Sequence, residues 1–161
     1  MIIRPATHAD APAICAIWNP IIRDTGVTFN PVEKTLSDVC ELIDEKDRLG
    51  YAFLVADDGT VQGFGTYGPF RGGLGYARTA EHSIVLGVDA RGKGEGRQLM
   101  AAIEAHAKAR NVHSMFAGVS AENLAGVKFH AALGYREVAT LREVGYKFDK
   151  WFDLVLMQKM L

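Results

Sequence analysis

The sequence contains little cysteine and almost no net charge, and each shortage excludes a class of protein. Cys15 and Cys40 are the 2 cysteines among 161 residues, and neither belongs to a C-x-x-C pair. A disulfide framework is therefore not expected, and the cytoplasm is the default location. The 18 basic and 19 acidic side chains leave a net charge of −1. Nothing in the overall charge favours nucleic acid or an anionic lipid surface as a partner.

Several sequence signatures are also missing. No apolar run approaches the ~20 residues that cross a bilayer, and residues 1–6 lack the basic-then-apolar layout of a signal peptide. His82, His106 and His113 have no metal-ligand spacing, so we predict no metal. The G-x-S-x-G turn of a serine hydrolase is absent as well.

What is present is the composition of an ordinary soluble domain, with 48% apolar and 23% charged residues. Because no repeat or low-complexity linker interrupts the chain, we expect one domain over residues 1–161. The predicted strands cover residues 2–6, 51–56, 61–67, 80–88, 113–119, 135–144 and 151–159. This order, with helices between strands, predicts an α/β fold with a mixed central sheet flanked by about four helices.

The helices are predicted from caps and from apolar spacing. The first follows Thr7 or Asp10, and the second follows a capping box at 35–38. The third covers 94–110, and the fourth covers 123–133 and ends at Gly134. Their expected inward faces carry Ile14, Ile17, Trp18 and Ile21 in the first helix, Leu36, Val39, Leu42 and Ile43 in the second, and Leu99, Met100, Ile103 and Ala107 in the third.

The most informative segment is the glycine-rich turn between the strand at 80–88 and the third helix. Glycines at 92, 94 and 96 let a phosphate approach the backbone N–H groups, and the helix N-terminus adds partial positive charge. Arg91, Lys93 and Arg97 add charged side chains. A Rossmann fingerprint fits poorly because the glycines are spaced G-x-G-x-G after the fourth strand, and a Walker A motif is absent. The turn therefore predicts a pyrophosphate site.

Four segments in order resemble one family. The R-x-x-G-x-G pattern of Arg91, Gly94 and Gly96 resembles the acetyl-coenzyme A loop of GNAT acetyltransferases, and residues 123–135 resemble the second GNAT segment. Residues 79–83 (TAEHS) and 145–153 (GYKFDKWFD) are similar to signatures of the phosphinothricin acetyltransferase family.

The resemblance implies the GNAT fold, acetyl-CoA as co-substrate, and transfer of its acetyl group to the amine of a small amino acid or analogue that carries a carboxylate. Phosphinothricin, methionine sulfoximine and methionine sulfone are the expected substrate types, and a homodimer is the expected assembly. The residues implied to bind the cofactor are Ile84, Val85, Leu86, Arg91, Gly92, Lys93, Gly94, Glu95, Gly96, Arg97 and Asn123.

The resemblance also implies roles on the substrate side. Glu81 matches the carboxylate beside the amine and is the candidate base; the alternative is a surface Glu paired with an Arg. His130 is either a proton donor to the departing thiolate or a histidine that only forms a hydrogen bond. Arg71, with Gly72 and Gly73, matches the loop that holds the substrate carboxylate; the alternative is a solvated loop.

The chain departs from the family pattern in this substrate region. The Arg that relatives place directly after the aromatic residue is here Arg78, behind Ala77. Two alternatives to an amino-acid acetyltransferase stay open. One is an enzyme that acetylates another amine (a protein N-terminus, a polyamine or an antibiotic), and the other is a non-catalytic CoA-binding module.

Overall fold

A computed structural model describes all 161 residues as one seven-stranded sheet with four α-helices. The strands are β1 (Ile2–Pro5), β2 (Phe53–Asp57), β3 (Val61–Pro69), β4 (Thr79–Leu86), β5 (Ser114–Ser120), β6 (Arg136–Lys147) and β7 (Lys150–Met160). The helices are α1 (Ala11–Asp24), α2 (Leu36–Leu49), α3 (Glu95–Ala109) and α4 (Leu124–Ala132). The strand order is β1-β2-β3-β4-β5-β7-β6, and β4–β5 is the parallel pair among antiparallel neighbours. The predicted mixed sheet with four helices is confirmed.

The helices cover the two faces of the sheet and create two cores. Helices α1 and α2 pack on one face around Ile14, Val39 and Phe64. Helix α3 packs on the other face, where Leu99 and Ile103 are fully buried. Amphipathic spacing predicted these faces, because residues three and four apart share one side of a helix.

Two details at the helix starts differ from the sequence prediction. Leu36 was expected to face inward, but as the first residue of α2 it is 53% exposed. Asp10 does not cap α1 with its side chain. Its carboxylate instead accepts from the Thr7 N–H at 2.8 Å and pairs with Arg4 at 2.8 Å. Asp10 therefore ties β1 to a short 3₁₀ turn, His8–Asp10, that precedes α1.

Two glycines of β3 allow close packing on the sheet. A Cβ on Gly63 would lie 2.8 Å from the Val85 carbonyl oxygen, and one on Gly65 would overlap Ile103 Cδ1. The missing side chains therefore allow close contact at both positions. It brings α3 onto the sheet directly beside β4, which leads into the glycine-rich turn.

The feature that positions the site is the separation of β4 from β5. Their parallel pairing covers Thr79–His82 against Ser114–Ala117 and then stops. Beyond that point β4 stays paired with β3, and β5 stays paired with β7. The two strands therefore diverge, and the sheet opens in its middle.

Candidate active site

A cavity of about 600 Å³ lies at this opening and is lined from both faces of the sheet. Helix α1 and the segment after it contribute Trp18, Ile21, Val27 and Thr28. On the other face, the wall is formed by the glycine-rich turn and α4. A ligand in this cavity can therefore extend through the sheet, with one end on each side.

The alternation of β4 sends its side chains to opposite ends of this passage. Val85 packs on the core of α1 and α2, and Glu81, four residues earlier, lies on the same face. His82 points to the opposite face, where its ring lies 5.0 Å from the ring of His130 on α4. The carboxylate and the imidazoles therefore approach the opening from different sides.

The backbone of β4 also presents free groups to the opening. The Gly87 N–H bonds the Gln62 carbonyl of β3, and hydrogen-bonded pairs alternate along an antiparallel ladder. Val85 therefore bonds to β3, whereas Ile84 and Leu86 turn their N–H and C=O groups toward the gap left by β5. Ile84 and Leu86 are two of the three β4 residues that the resemblance implies to bind the cofactor. The third, Val85, lines the cavity, but its backbone groups face β3.

The glycine-rich turn is built as an anion site. None of the backbone N–H groups from Gly92 to Arg97 donates a hydrogen bond to a protein atom. Gly92 and Gly94 have φ angles of 77° and 87°, in the left-handed region that glycine adopts without strain. Free N–H groups at the start of an α-helix bind phosphate through hydrogen bonds and the helix dipole.

The side chains of this turn differ in where they lie. Arg91 and Arg97 line the cavity together with the three glycines. Lys93 is exposed and does not line it, and Glu95 is buried in the first turn of α3 without lining it. The two arginines are therefore the cations that the structure brings to the site, and cofactor binding by Lys93 and Glu95 stays a prediction.

Asn123 begins α4 at the cavity wall. Its side-chain oxygen accepts from the Gly126 N–H at 2.9 Å and caps the helix. Its side-chain NH₂ group donates to no protein atom and remains available to a ligand. The predicted coenzyme contact therefore has a free donor.

Glu81 lies half-buried at the cavity with no partner for its carboxylate. No Lys or Arg forms an ion pair with it. Its Oε1 packs against Gly118 of β5, where a Cβ would lie only 2.8 Å away. Burial raises the pKa of this carboxyl above its ordinary 4.5. The alternative of a surface Glu paired with an Arg is wrong, and the carboxylate has the environment of a proton acceptor.

His130 is buried, and its hydrogen bond determines which ring nitrogen carries the proton. Nδ1 lies 2.7 Å from the Gly126 carbonyl, so Nδ1 is the donor. Nε2 is buried with no protein partner. Burial lowers the pKa of His130, which keeps the ring neutral and leaves Nε2 as a proton acceptor.

The loop assigned to the substrate carboxylate does not reach the cavity. Arg71, Gly72 and Gly73 are exposed and absent from its lining. The Arg71 guanidinium lies 5.3 Å from the ring centroid of Tyr76 in the same loop, a cation–π distance. Substrate binding by these three residues therefore stays a prediction that the contacts within this chain do not support.

Sequence reasoning missed most of the apolar wall. Trp18 and Ile21 were assigned to the core of α1, yet both line the cavity, as does Phe129 of α4. Periodicity identifies an inward face but cannot distinguish packing against a strand from facing an opening between strands. Val27 and Thr28 follow α1 in a segment without any pattern, so no local signal was available.

Comparison with known proteins agrees with this geometry. A family model described as an acetyltransferase (GNAT) domain matches residues 3–156. The chain belongs to the GNAT acetyltransferase family. It is 38% identical to an L-methionine sulfoximine/L-methionine sulfone acetyltransferase of Pseudomonas paraeruginosa, over 97% of this chain and 92% of that one.

Two solved structures are similar over the whole chain. One, described as a ribosomal-protein-alanine N-acetyltransferase from Brucella melitensis, has a TM-score of 0.95 and 39% identity and covers 100% of both chains. The other, from Salmonella typhimurium and solved with acetyl-CoA, has a TM-score of 0.94 and 33% identity. It covers 100% of this chain and 94% of that one.

This GNAT protein is thus an acetyl-CoA-dependent acetyltransferase, and its site fits that co-substrate. The free N–H groups at 92–97 suit a pyrophosphate, and the gap beside Ile84 and Leu86 suits an extended amide-containing arm. No three His, Cys, Asp or Glu side chains are grouped to hold a metal ion. None of its helices has the length and apolar character needed to cross a membrane.

Proposed function

We propose that this enzyme acetylates the primary amine of a small amino acid or analogue of the methionine sulfoximine, methionine sulfone or phosphinothricin type. One observation supports the proposal most strongly. The opening between β4 and β5 joins an unpaired, half-buried carboxylate on one face to a turn with free N–H groups on the other. Such a passage lets an amine and a thioester meet from opposite sides.

In the proposed reaction Glu81 acts first. An alkylammonium cannot attack a thioester, so Glu81 takes one proton from the substrate nitrogen. The free amine then forms a C–N bond to the acetyl carbonyl carbon, and the carbonyl oxygen becomes an oxyanion. Because the Leu86 N–H faces the gap, it is the proposed donor to that oxyanion.

His130 is the proposed proton carrier in the second half of the reaction. Its neutral ring takes the second proton of the attacking nitrogen at Nε2 while the C–S bond breaks. The resulting imidazolium returns that proton to the thiolate, which leaves as coenzyme A. The sequence left open whether His130 donates a proton to the thiolate or only forms a hydrogen bond. The hydrogen bond from Nδ1 to the Gly126 carbonyl supports a role in which Nε2 accepts a proton before donating it.

The test of this function is thiol release from acetyl-CoA with a panel of amines. We expect turnover with methionine sulfoximine, methionine sulfone or phosphinothricin, and little turnover with spermidine. Methionine sulfone amide is the matched control, because it lacks the carboxylate but keeps the side chain. Equal kcat/KM for the acid and the amide would contradict the proposed requirement for a carboxylate.

A second candidate substrate is the N-terminal alanine of a protein, which the name of the Brucella melitensis structure suggests. The half-enclosed cavity and its apolar wall favour a small molecule instead. An alanine-terminated hexapeptide belongs in the same panel. Turnover of the peptide above that of every free amino acid would replace the first candidate by this one.

We also propose a homodimer and a cytoplasmic location. The β6–β7 hairpin at the sheet edge exposes apolar side chains, among them Val144, Tyr146 and Trp151, each more than half exposed. Such a patch is typical of an interface. Light scattering after gel filtration tests the assembly, and we expect twice the 17.6 kDa chain mass. The proposed cytoplasmic location is supported by the two free cysteines and by the use of acetyl-CoA.

A further inference from the structure

Lys147 near the end of β6 is a buried cation without a carboxylate partner. It is 4% exposed and forms no ion pair. Its Nζ donates to two backbone carbonyls across the molecule, that of Thr25 at 2.6 Å and that of Thr28 at 2.9 Å. The ammonium therefore fastens the segment after α1 to the β6–β7 hairpin.

Two close contacts support the same junction. A Cβ on Gly145 would overlap the ring of Phe29, and one on Gly26 would overlap the ring of Phe152. The rings of Phe29 and Phe152 lie 5.5 Å apart. Absence of a side chain on each glycine therefore lets the hairpin and the segment at 25–29 interlock.

The fastened segment forms the wall of the cavity on the Glu81 side of the sheet. Val27 and Thr28 line the cavity, and Thr28 is itself one of the residues whose carbonyl Lys147 binds. Within the segment, the Thr25 hydroxyl accepts from the Val27 N–H at 3.2 Å. Lys147 thus bonds directly to a residue of this wall, although Lys147 does not itself line the cavity.

We propose that Lys147 is a positioning residue that fixes the amine-side wall of the active site, and that its loss weakens amine binding without weakening acetyl-CoA binding. The inference rests on the proposed function, which puts the amine on the Glu81 side. Burial of a cation opposes folding unless it is well bonded. An apolar side chain would fill the same space but could not bond two carbonyls.

The test compares Lys147→Met with Lys46→Met. Lys46 is also partly buried and donates to one backbone carbonyl, that of Tyr67 at 3.0 Å, but it lies on α2 away from the cavity. Each change removes one charge; Lys147→Met also removes two bonds to backbone carbonyls and Lys46→Met removes one. We expect Lys147→Met to raise the amine KM at least about tenfold and to leave the acetyl-CoA Kd within about twofold. Lys46→Met should change neither value.

A second variant and a second readout separate the possible failures. Gly145→Ala keeps Lys147 but displaces the ring of Phe29, so it should also raise the amine KM. This variant tests the proposal if Lys147→Met fails to fold. Hydrogen exchange at residues 25–29 should accelerate in Lys147→Met and not in Lys46→Met, whether or not any amine is turned over. Unchanged exchange there, or equal losses of amine and acetyl-CoA affinity, would overturn the proposal. Absence of turnover in the unmodified enzyme would overturn the proposed function alone.

Discussion

Glu81 shows how a single residue acquires reactivity from its surroundings. The carboxylate lies beside the opening of the sheet with no cation near enough to pair with it. Desolvation disfavours its charged form, so its pKa rises and it becomes a stronger base than an exposed glutamate. A stronger base accepts a proton from an ammonium group more readily, which suits the proposed role of Glu81.

At this scale the first prediction concerns Glu81→Gln. Removal of the base should lower kcat/KM by ~10²–10⁴-fold, while acetyl-CoA binding stays unchanged. In the unmodified enzyme kcat/KM should rise with pH as Glu81 loses its proton, with a midpoint above 4.5. The exposed Glu122→Gln is the matched control, since Glu122 pairs with Lys150 at the surface. Full activity of Glu81→Gln would remove Glu81 from the mechanism.

The second prediction concerns the ring of His130. Because burial lowers its pKa and Nδ1 donates to Gly126, we expect a neutral ring with the proton on Nδ1 at pH 7. Nitrogen NMR of the labelled protein distinguishes the two neutral tautomers and the imidazolium. His130→Phe supplies the assignment by removing the signal. A charged ring at pH 7 would favour direct donation to the thiolate over the proposed transfer through Nε2.

Among the elements, the turn between β4 and α3 is the proposed binding site for the pyrophosphate of acetyl-CoA, held by backbone N–H groups. That role would require glycine at position 94, where φ is 87° and the position of a Cβ has open space around it. A side chain there therefore meets no atom, but it strains the backbone by about 1–3 kcal/mol. Relief of that strain would turn the neighbouring N–H groups away from the pyrophosphate.

We therefore predict that Gly94→Ala raises the Kd for acetyl-CoA by about tenfold or more, measured by calorimetry. Gly59→Ala is the matched control. Gly59 has a φ of 108° and open space at its Cβ, but it lies in the β2–β3 hairpin turn. Both variants should lose similar stability, and only Gly94→Ala should lose affinity. Equal Kd values for acetyl-CoA in Gly94→Ala and Gly59→Ala would show that the turn does not bind the pyrophosphate through its backbone.

At the scale of the whole molecule, burial of histidines links stability to pH. Burial lowers the pKa of His82 to about 3 from its ordinary 6.5, with a smaller contribution from His130. Between these values the unfolded chain binds a proton that the folded chain does not. Stability is therefore complete above pH 6.5 and declines as the pH falls toward 3.

The free energy of unfolding in urea should decrease between pH 6.5 and 4.5 by up to about 1.4 kcal/mol per pH unit for His82. The buried His130 changes in the same direction. His82→Gln should reduce this slope, whereas substitution of the exposed His113 by Gln should leave it unchanged. A slope that is the same in both variants would mean that His82 is not the source of the acid sensitivity.

The sequence alone determined what depends on local spacing. The spacing of apolar residues predicted the helices. Glycines and arginines ahead of a helix predicted the pyrophosphate turn, because the free N–H groups at a helix start arise locally and need no distant residue. Contacts between distant segments are visible only in the folded chain. There the β4–β5 pairing ends at His82 and opens the sheet, Glu81 is left unpaired, and Val27 and Thr28 lie at the cavity wall with the Thr28 carbonyl bonded to Lys147. The two Lys147 hydrogen bonds join residues 122 and 119 positions apart, and no local pattern encodes such pairings.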